Sequence, residues 1–421
     1  MLTHSEIFPG IHLRCVQDRR FKHSALSLQY IRPMCREEAA MNALIPSVLL
    51  RGCKSAPDLR QITQRLDDLY GAAVSPISRR AGDWQTTGLY LSLMDDRFAR
   101  EGEALTEQAM DFLKELLFEY PEENGGFLPE FVEGEKINQI YAIEAEFNDK
   151  RAYCAQQLLK NMCREDSFGV PRMGEREDVE AITPQALLSH YRRLRRESQI
   201  EILYVGSAAP ERMAGLVRKL FAEEDRAPLP LPAQSGLRLS KAADLCERME
   251  LTQGKLCMGF VTPVTAKDPG FPAMQLLCAV FGGDVTSKLF RNIREKQSLC
   301  YSIGAGYYSA KGIVLVSAGI DFDREAHVRE EVLRQLDACR RGEITEEELT
   351  AARASLISAL ESVPDSPGAL ESYYSSMVLG GSGLDPQAHR KALEAVIPED
   401  LTRAADSLTP HSTCFLKGVS Q

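Results

Sequence analysis

Arg294 and Tyr301, seven residues apart in LFRNIREKQSLCYSI, are the side chains in this chain best placed to hold an extended peptide. Leu289 to Ile320 sets a basic, polar helical turn (Arg291, Arg294, Glu295, Lys296) before two strand-like runs. That order puts Arg294 at a helix end and Tyr301 at a strand start, where both can project from a rigid edge as a pair of donors. The plainer reading is a solvated arginine and a half-buried tyrosine.

Other chemistry-bearing residues form no local motif. The eleven cysteines (15, 35, 53, 154, 163, 246, 257, 278, 300, 339 and 414) are scattered without a C-x-x-C pair. Their odd number fits reduced, buried thiols better than a disulfide framework. Cys300, beside Tyr301, reads as packed more than reactive. The seven histidines are equally dispersed, with no two at i,i+4 around a glutamate, so no local zinc motif exists. Gly206 to Pro210 joins a strand to a helix, but without the glycine spacing and lysine of a phosphate loop it reads as a plain connection.

At 421 residues the chain exceeds a single core and implies two or more domains. Its net charge of −10 argues against a nucleic-acid partner, which needs a concentrated basic surface. No long apolar run suggests a membrane span, and the opening MLTHSEIFPGIH reads as mature sequence, so a cytoplasmic location is expected.

The elements that must position the pair can be read from periodicity. SALSLQYI and Thr86 to Met94 alternate as strands. Glu37 to Leu50 has a helical apolar pattern, with a kink or break expected at Pro46. Asp58 to Tyr70 is an amphipathic helix stopped by Gly71, and Glu103 to Phe118 is another helix. Glu119 to Glu130 reads as a surface loop. Phe131 to Met162 reads as one long charged helix or two in line, Thr183 to Arg195 as a further helix and Glu201 to Val205 as a short strand.

RAPLPLPAQS, from Arg226 to Ser235, is the candidate linker, because its prolines favour an extended course. The half of the chain after this linker repeats the half before it. The helix Met41 to Leu50 matches Phe271 to Val280, the strand Leu89 to Leu93 matches Ile313 to Val316, and Leu203 to Ala208 matches Phe415 to Ser420. The helix after Glu103 matches that after His327, and the charged helix after Glu135 matches Glu346 to Leu360. The expected organisation is α+β: two homologous domains, 1–225 and 246–421, around a linker at 226–245. Each has a mostly antiparallel sheet packed by helices, and together they enclose a cleft.

With that order of elements, RGCKSAPDLRQITQRLDDLYGAAVS and LFRNIREKQSLCYSIGAGYY, the chain resembles the insulinase/pitrilysin/processing-peptidase superfamily of zinc metallopeptidases. Within it the chain is similar to bacterial proteins associated with modification of elongation factor P. Active relatives carry H-x-x-E-H on the helix before a glycine equivalent to Gly52: two histidines ligate zinc and the glutamate activates water. The matching positions here are Ala43, Pro46 and Ser47, and the third-ligand position falls at Ala142, or Glu144 in a shifted register. The resemblance therefore implies the fold without its metal centre.

Relatives also place an arginine and a tyrosine at Arg294 and Tyr301 to hold the substrate peptide. Arginine donates to a carbonyl in a fixed fork, and the hydroxyl steadies developing negative charge. A retained pair beside a lost metal implies a non-catalytic subunit whose partner is a zinc-bearing homologous peptidase, completing a site for a peptide or protein substrate. Zinc is expected in that partner and no cofactor in this chain. Two other readings stay open: a scaffold that has left proteolysis, and a peptidase with atypical ligands. The latter is weakened because Ser47 has no accompanying histidine and acid.

Overall fold

Alternating leucines and valines become central strands and the 3.6-period runs become the helices that cover them; the chain is described by a computed structural model over residues 2–419. In chain order the first half forms β1 (Leu2–Phe8), β2 (Ile11–Gln17), β3 (His23–Pro33), α1 (Arg36–Leu49), α2 (Leu59–Asp68), β4 (Ala73–Ala81), β5 (Trp84–Met94) and α3 (Leu105–Phe118). It continues through β6 (Glu122–Glu123), β7 (Gly126–Phe127), α4 (Pro129–Asn148), α5 (Lys150–Met162), α6 (Arg176–Glu180), α7 (Pro184–Glu197), β8 (Gln199–Gly206) and α8 (Pro210–Phe221). The second half forms β9 (Asp244–Met249), β10 (Gly254–Val261), α9 (Phe271–Gly282), β11 (Ser302–Tyr308), β12 (Ile313–Ile320) and α10 (Glu325–Arg340). It closes with α11 (Glu346–Ser362), α12 (Pro367–Gly380), α13 (Pro386–Glu394), α14 (Pro398–Ser407) and β13 (Thr409–Gly418).

The internal repeat is visible in the two large sheets. The first runs β1-β2-β8-β3-β5-β4; the second, read from its far edge, runs β9-β13-β10-β12-β11. Leaving out β1, both begin with a parallel pair (β2 with β8, β9 with β13) and continue antiparallel. The matched segments occupy equivalent places: Leu89 to Leu93 in β5 with Ile313 to Val316 in β12, and β8 with β13. Ser420, the last residue of that second match, lies outside the described residues. The fold is thus the expected α+β pair of sheet-and-helix regions.

The compact units differ from a simple division at the linker. One comprises the chain up to Ile143, Val170–Gln234 and Pro364–Ser375; the other comprises Glu144–Gly169, Ser235–Val363 and the chain from Ser376. The boundary near residues 234 and 235 falls inside the expected linker, but the expected spans 1–225 and 246–421 miss a reciprocal exchange of segments. The α5 segment joins the second sheet because its apolar face (Cys154, Leu158, Met162) packs with Cys257, Leu315, Cys414 and Leu416 in one buried cluster. Pro364–Ser375 joins the first sheet through polar contacts: Arg79 donates to Glu371 at 3.0 Å, and Gln29 to the Ser375 hydroxyl at 2.7 Å.

Local structure refines three expectations. Pro46 lies inside a continuous α1, with no break assigned. The carbonyl it deprives of a helical partner is that of Asn42, which accepts instead from the Thr87 hydroxyl of β5 at 2.5 Å. The Glu119 to Glu130 loop contains the small β6–β7 hairpin, turned through Asn124 and Gly125, both at positive φ. The long charged helix breaks at Asp149, whose carboxylate accepts from the backbone N–H of Arg151 and Ala152 and so caps α5. The linker has no helix or strand before β9 begins at Asp244, but it is pinned: Leu229 N–H donates to Glu197 O at 2.8 Å, and the Trp84 indole to Pro232 O at 3.2 Å. Among the described residues, no helix is long and apolar enough to cross a membrane. None of the eleven cysteines forms a disulfide.

Candidate peptide-binding groove

β11 has β12 on one side and, among the described residues, no strand on the other, so one row of its backbone donors and acceptors faces outward. A cavity of about 650 Å³ runs along this edge. Its floor is the strand from Ile303 to Tyr308; one wall is Gly282 to Val285 with Phe290, and the other is the start of α5 from Asp149 to Ala155. Gly282 lets the end of α9 close on β11, since a Cβ there would lie 2.7 Å from that of Ala305. Gly306 is different: a Cβ added there would meet nothing within 4 Å.

Arg294 lies in a π-helical segment, Phe290–Lys296, and its guanidinium is 4.5 Å from the centroid of the Phe290 ring. Phe290 is part of the groove wall, so its stacked arginine is held beside the groove while the charge stays exposed. Ser298, at φ +52°, turns the chain out of this segment. Tyr301 then docks by its N–H to Gly319 O at 2.8 Å, immediately before β11. Its ring is exposed, and its hydroxyl donates to Asp321 Oδ1 at 3.0 Å, which raises its pKa. Between them, Cys300 is buried; burial pushes its thiol up to about 11 against the pull of Arg294, making it a packing thiol.

Tyr301 lines a second cavity of about 550 Å³, with Lys150, Arg151 and Lys255. Asp149 and Arg151 line both cavities, so Arg294 and Tyr301 lie beside adjoining spaces. Sequence alone does not single out Arg151, since an exposed arginine in a charged helix carries no signal until α5 is seen on the second sheet.

On α1, Ala43 and Ser47 are half-buried and Pro46 is buried. The face of α4 that carries buried Phe131, Val132, Lys136 and Gln139 turns inward, leaving Ala142 exposed and Glu144 half-buried. Gln139 is the α4 side chain that reaches α1, donating to Ala40 O at 3.1 Å and to Met173 O at 2.8 Å. It lies three residues before the expected Ala142. Asn42 is also committed: its amide donates to Gln85 Oε1 at 2.9 Å, and its carbonyl pairs with His190 Nε2 at 2.7 Å.

Comparison with known proteins decides the kinship. The profile of the peptidase M16 inactive domain matches residues 181–356. A Bacillus subtilis protein named probable inactive metalloprotease YmfF is 27% identical over 410 residues, covering 97% of this chain and 96% of that protein. The chain is similar to members of the insulinase/pitrilysin (M16) peptidase superfamily. Two crystal structures share its fold. A conserved protein from Enterococcus faecalis has a TM-score of 0.93 at 23% identity over 100% of this chain and 99% of its own. A peptidase M16 inactive domain from Pseudomonas fluorescens has a TM-score of 0.82 at 15% identity, covering 100% and 98%.

The zinc of active M16 members does not fit these residues. A methyl, a proline ring and one hydroxyl replace the donors on α1, and the α4 side chain opposite is a carboxamide already donating to two carbonyls. The nearby imidazole of His190 is also engaged, by Asn42 at Nε2 and by the Arg193 guanidinium at Nδ1. Among the described residues no three His, Cys, Asp or Glu side chains gather to hold a metal. These residues therefore lack the donor set of a zinc-bearing M16 site, in keeping with the likeness to the M16 inactive domain.

Proposed function

We propose that this protein is the substrate-holding, non-catalytic subunit of a heteromeric zinc peptidase, whose metal sits in a homologous partner carrying H-x-x-E-H. The observation that supports this reading is the groove along the edge of β11, with Arg294 stacked on its wall residue Phe290 and Tyr301 in the adjoining cavity, in a chain whose α1 carries Ala43, Pro46 and Ser47 at the positions matched to the zinc motif. An extended peptide added to β11 satisfies its outward backbone groups, and the flanking walls exclude water from those bonds. Arg294, stacked on the groove residue Phe290, would donate to a peptide carbonyl, and Tyr301 stands at the end where the strand begins. The kinship with elongation factor P modification-associated proteins is the finer part of the proposal and rests on sequence resemblance.

The test pairs Gly306→Val with coexpression. Valine at 306 projects into open space, so it fills the groove without disturbing the fold. The expected result is copurification of the wild-type chain with an H-x-x-E-H homologue, peptide cleavage by the pair, and loss of cleavage of about tenfold or more (~1.4 kcal/mol) with Gly306→Val in an intact complex. Copurification without any effect on cleavage supports the scaffold reading. Stoichiometric zinc in the chain alone, with cleavage lost on its removal, supports the atypical peptidase.

A further inference from the structure

We infer that the groove takes a peptide antiparallel to β11 and reads its free C-terminal carboxylate through Arg151, supported by Lys150 and Lys255. The inference rests on the proposed strand addition and adds direction and terminus to it.

Direction is set by where charge lies. β11 runs from Ser302 to Tyr308, so a strand antiparallel to it leaves the groove at the Ser302 end. That end opens on the second cavity, of about 550 Å³, where Lys150, Arg151 and Lys255 surround Tyr301. The one acid among its lining residues is Asp149, and its Oδ1 already accepts from two backbone N–H groups of α5. A parallel strand would bring its ammonium terminus to the same three cations. Opposite charge therefore favours the antiparallel course, which is also the pairing of β11 with β12.

Arg151 is the reader by geometry. Its guanidinium makes no side-chain hydrogen bond or ion pair among the described residues, and it borders both cavities. It lies over the strand: a Cβ added at Gly304 would be 4.0 Å from its Nη2. A planar fork beside the last paired residue of a bound strand matches a carboxylate in two-point contact. The other two cations are partly engaged. Lys150 Nζ sits 3.2 Å from the centroid of the Phe147 ring, and Lys255 Nζ donates to Gln253 Oε1 at 2.6 Å. The turn residues Leu251 to Gln253 line the same cavity, placing backbone where a continuing chain would otherwise pass.

The experiment uses the full chain and fluorescein-labelled octapeptide libraries of randomised sequence, made as free acids, as C-terminal amides, and as amides ending in glutamate. Fluorescence anisotropy should show the free acids binding about tenfold tighter than the amides, with the glutamate-ending amides resembling the plain amides. Arg151→Gln should remove the preference while leaving amide binding in place, and Gly306→Val should weaken all three libraries. Equal binding of acids and amides, still lost in Gly306→Val, overturns the carboxylate inference and leaves strand addition standing. An acid preference that survives Arg151→Gln, or glutamate-ending amides that match the free acids, overturns it as well. Acid-selective binding untouched by Gly306→Val contradicts strand addition instead, and no binding of any library contradicts both.

Discussion

Pro46 lies inside α1, and its cost to the helix is met by one hydroxyl. Thr87 donates to the Asn42 carbonyl that Pro46 leaves without a helical donor. Thr87→Val should therefore lower stability by ~1–3 kcal/mol in chemical denaturation, and by clearly less in a Pro46→Ala background, where a helical N–H returns to that carbonyl. His190, bonded to Asn42, carries a pH signature. Burial chiefly pulls its pKa down to about 4, with Arg193 and Arg32 adding to this against Glu38. Unfolded, the imidazole titrates near ~6.5, so between these values the unfolded chain binds the extra proton. Its contribution, on the order of 2–3 kcal/mol, is present above ~6.5 and is lost as pH falls through about 4. Glu201, pushed up to about 7 by burial, acts in the opposite sense over an overlapping range. Comparing wild type with His190→Gln isolates the histidine: the wild type should lose more stability between pH 7 and pH 4.5. Arg294→Ala should slow processing by a reconstituted complex by about tenfold (~1.4 kcal/mol) with assembly intact; unchanged processing would remove it from the site.

At the scale of elements, the groove depends on α5, which supplies one wall while being seated by Leu158 and Met162 on the second sheet. Leu158→Ala should destabilise the chain by ~2–5 kcal/mol and weaken peptide binding at temperatures below the unfolding transition. Equal peptide affinity in that variant would separate the wall from the site. Periodicity identified most of these elements, because Leu89, Leu91 and Leu93 alternate against a core and Leu59, Ile62, Leu66 and Leu69 share one helical face. It could not say which sheet α5 joins. That choice is made by apolar complementarity with Cys257, Cys414 and Leu416, residues far away in sequence. The same limit hid the α4 register: Gln139 faces α1 because Phe131, Val132 and Lys136 set the buried side of the helix. Of the kink or break expected at Pro46, the break does not occur, and the donor that compensates the Asn42 carbonyl belongs to another element.

Across the whole molecule, the repeat was legible and the exchange of segments between its two halves was not. Equivalent strand orders preserve the same edge strand in each unit, β4 in the first and β11 in the second. The first unit carries α1, with Ala43, Pro46 and Ser47 at the positions the sequence resemblance assigns to the zinc motif. The second keeps a groove lined by polar and small residues. Arg294 and Tyr301 are named from a sequence resemblance, whereas Arg151 stands out only through the placement of α5. A peptidase assay in which an H-x-x-E-H homologue is titrated with this chain tests the central claim most directly. The account predicts no cleavage by this chain alone and a rate that rises and saturates at a fixed stoichiometry as it is added. A flat titration, or chelator-sensitive cleavage by this chain alone, would contradict it.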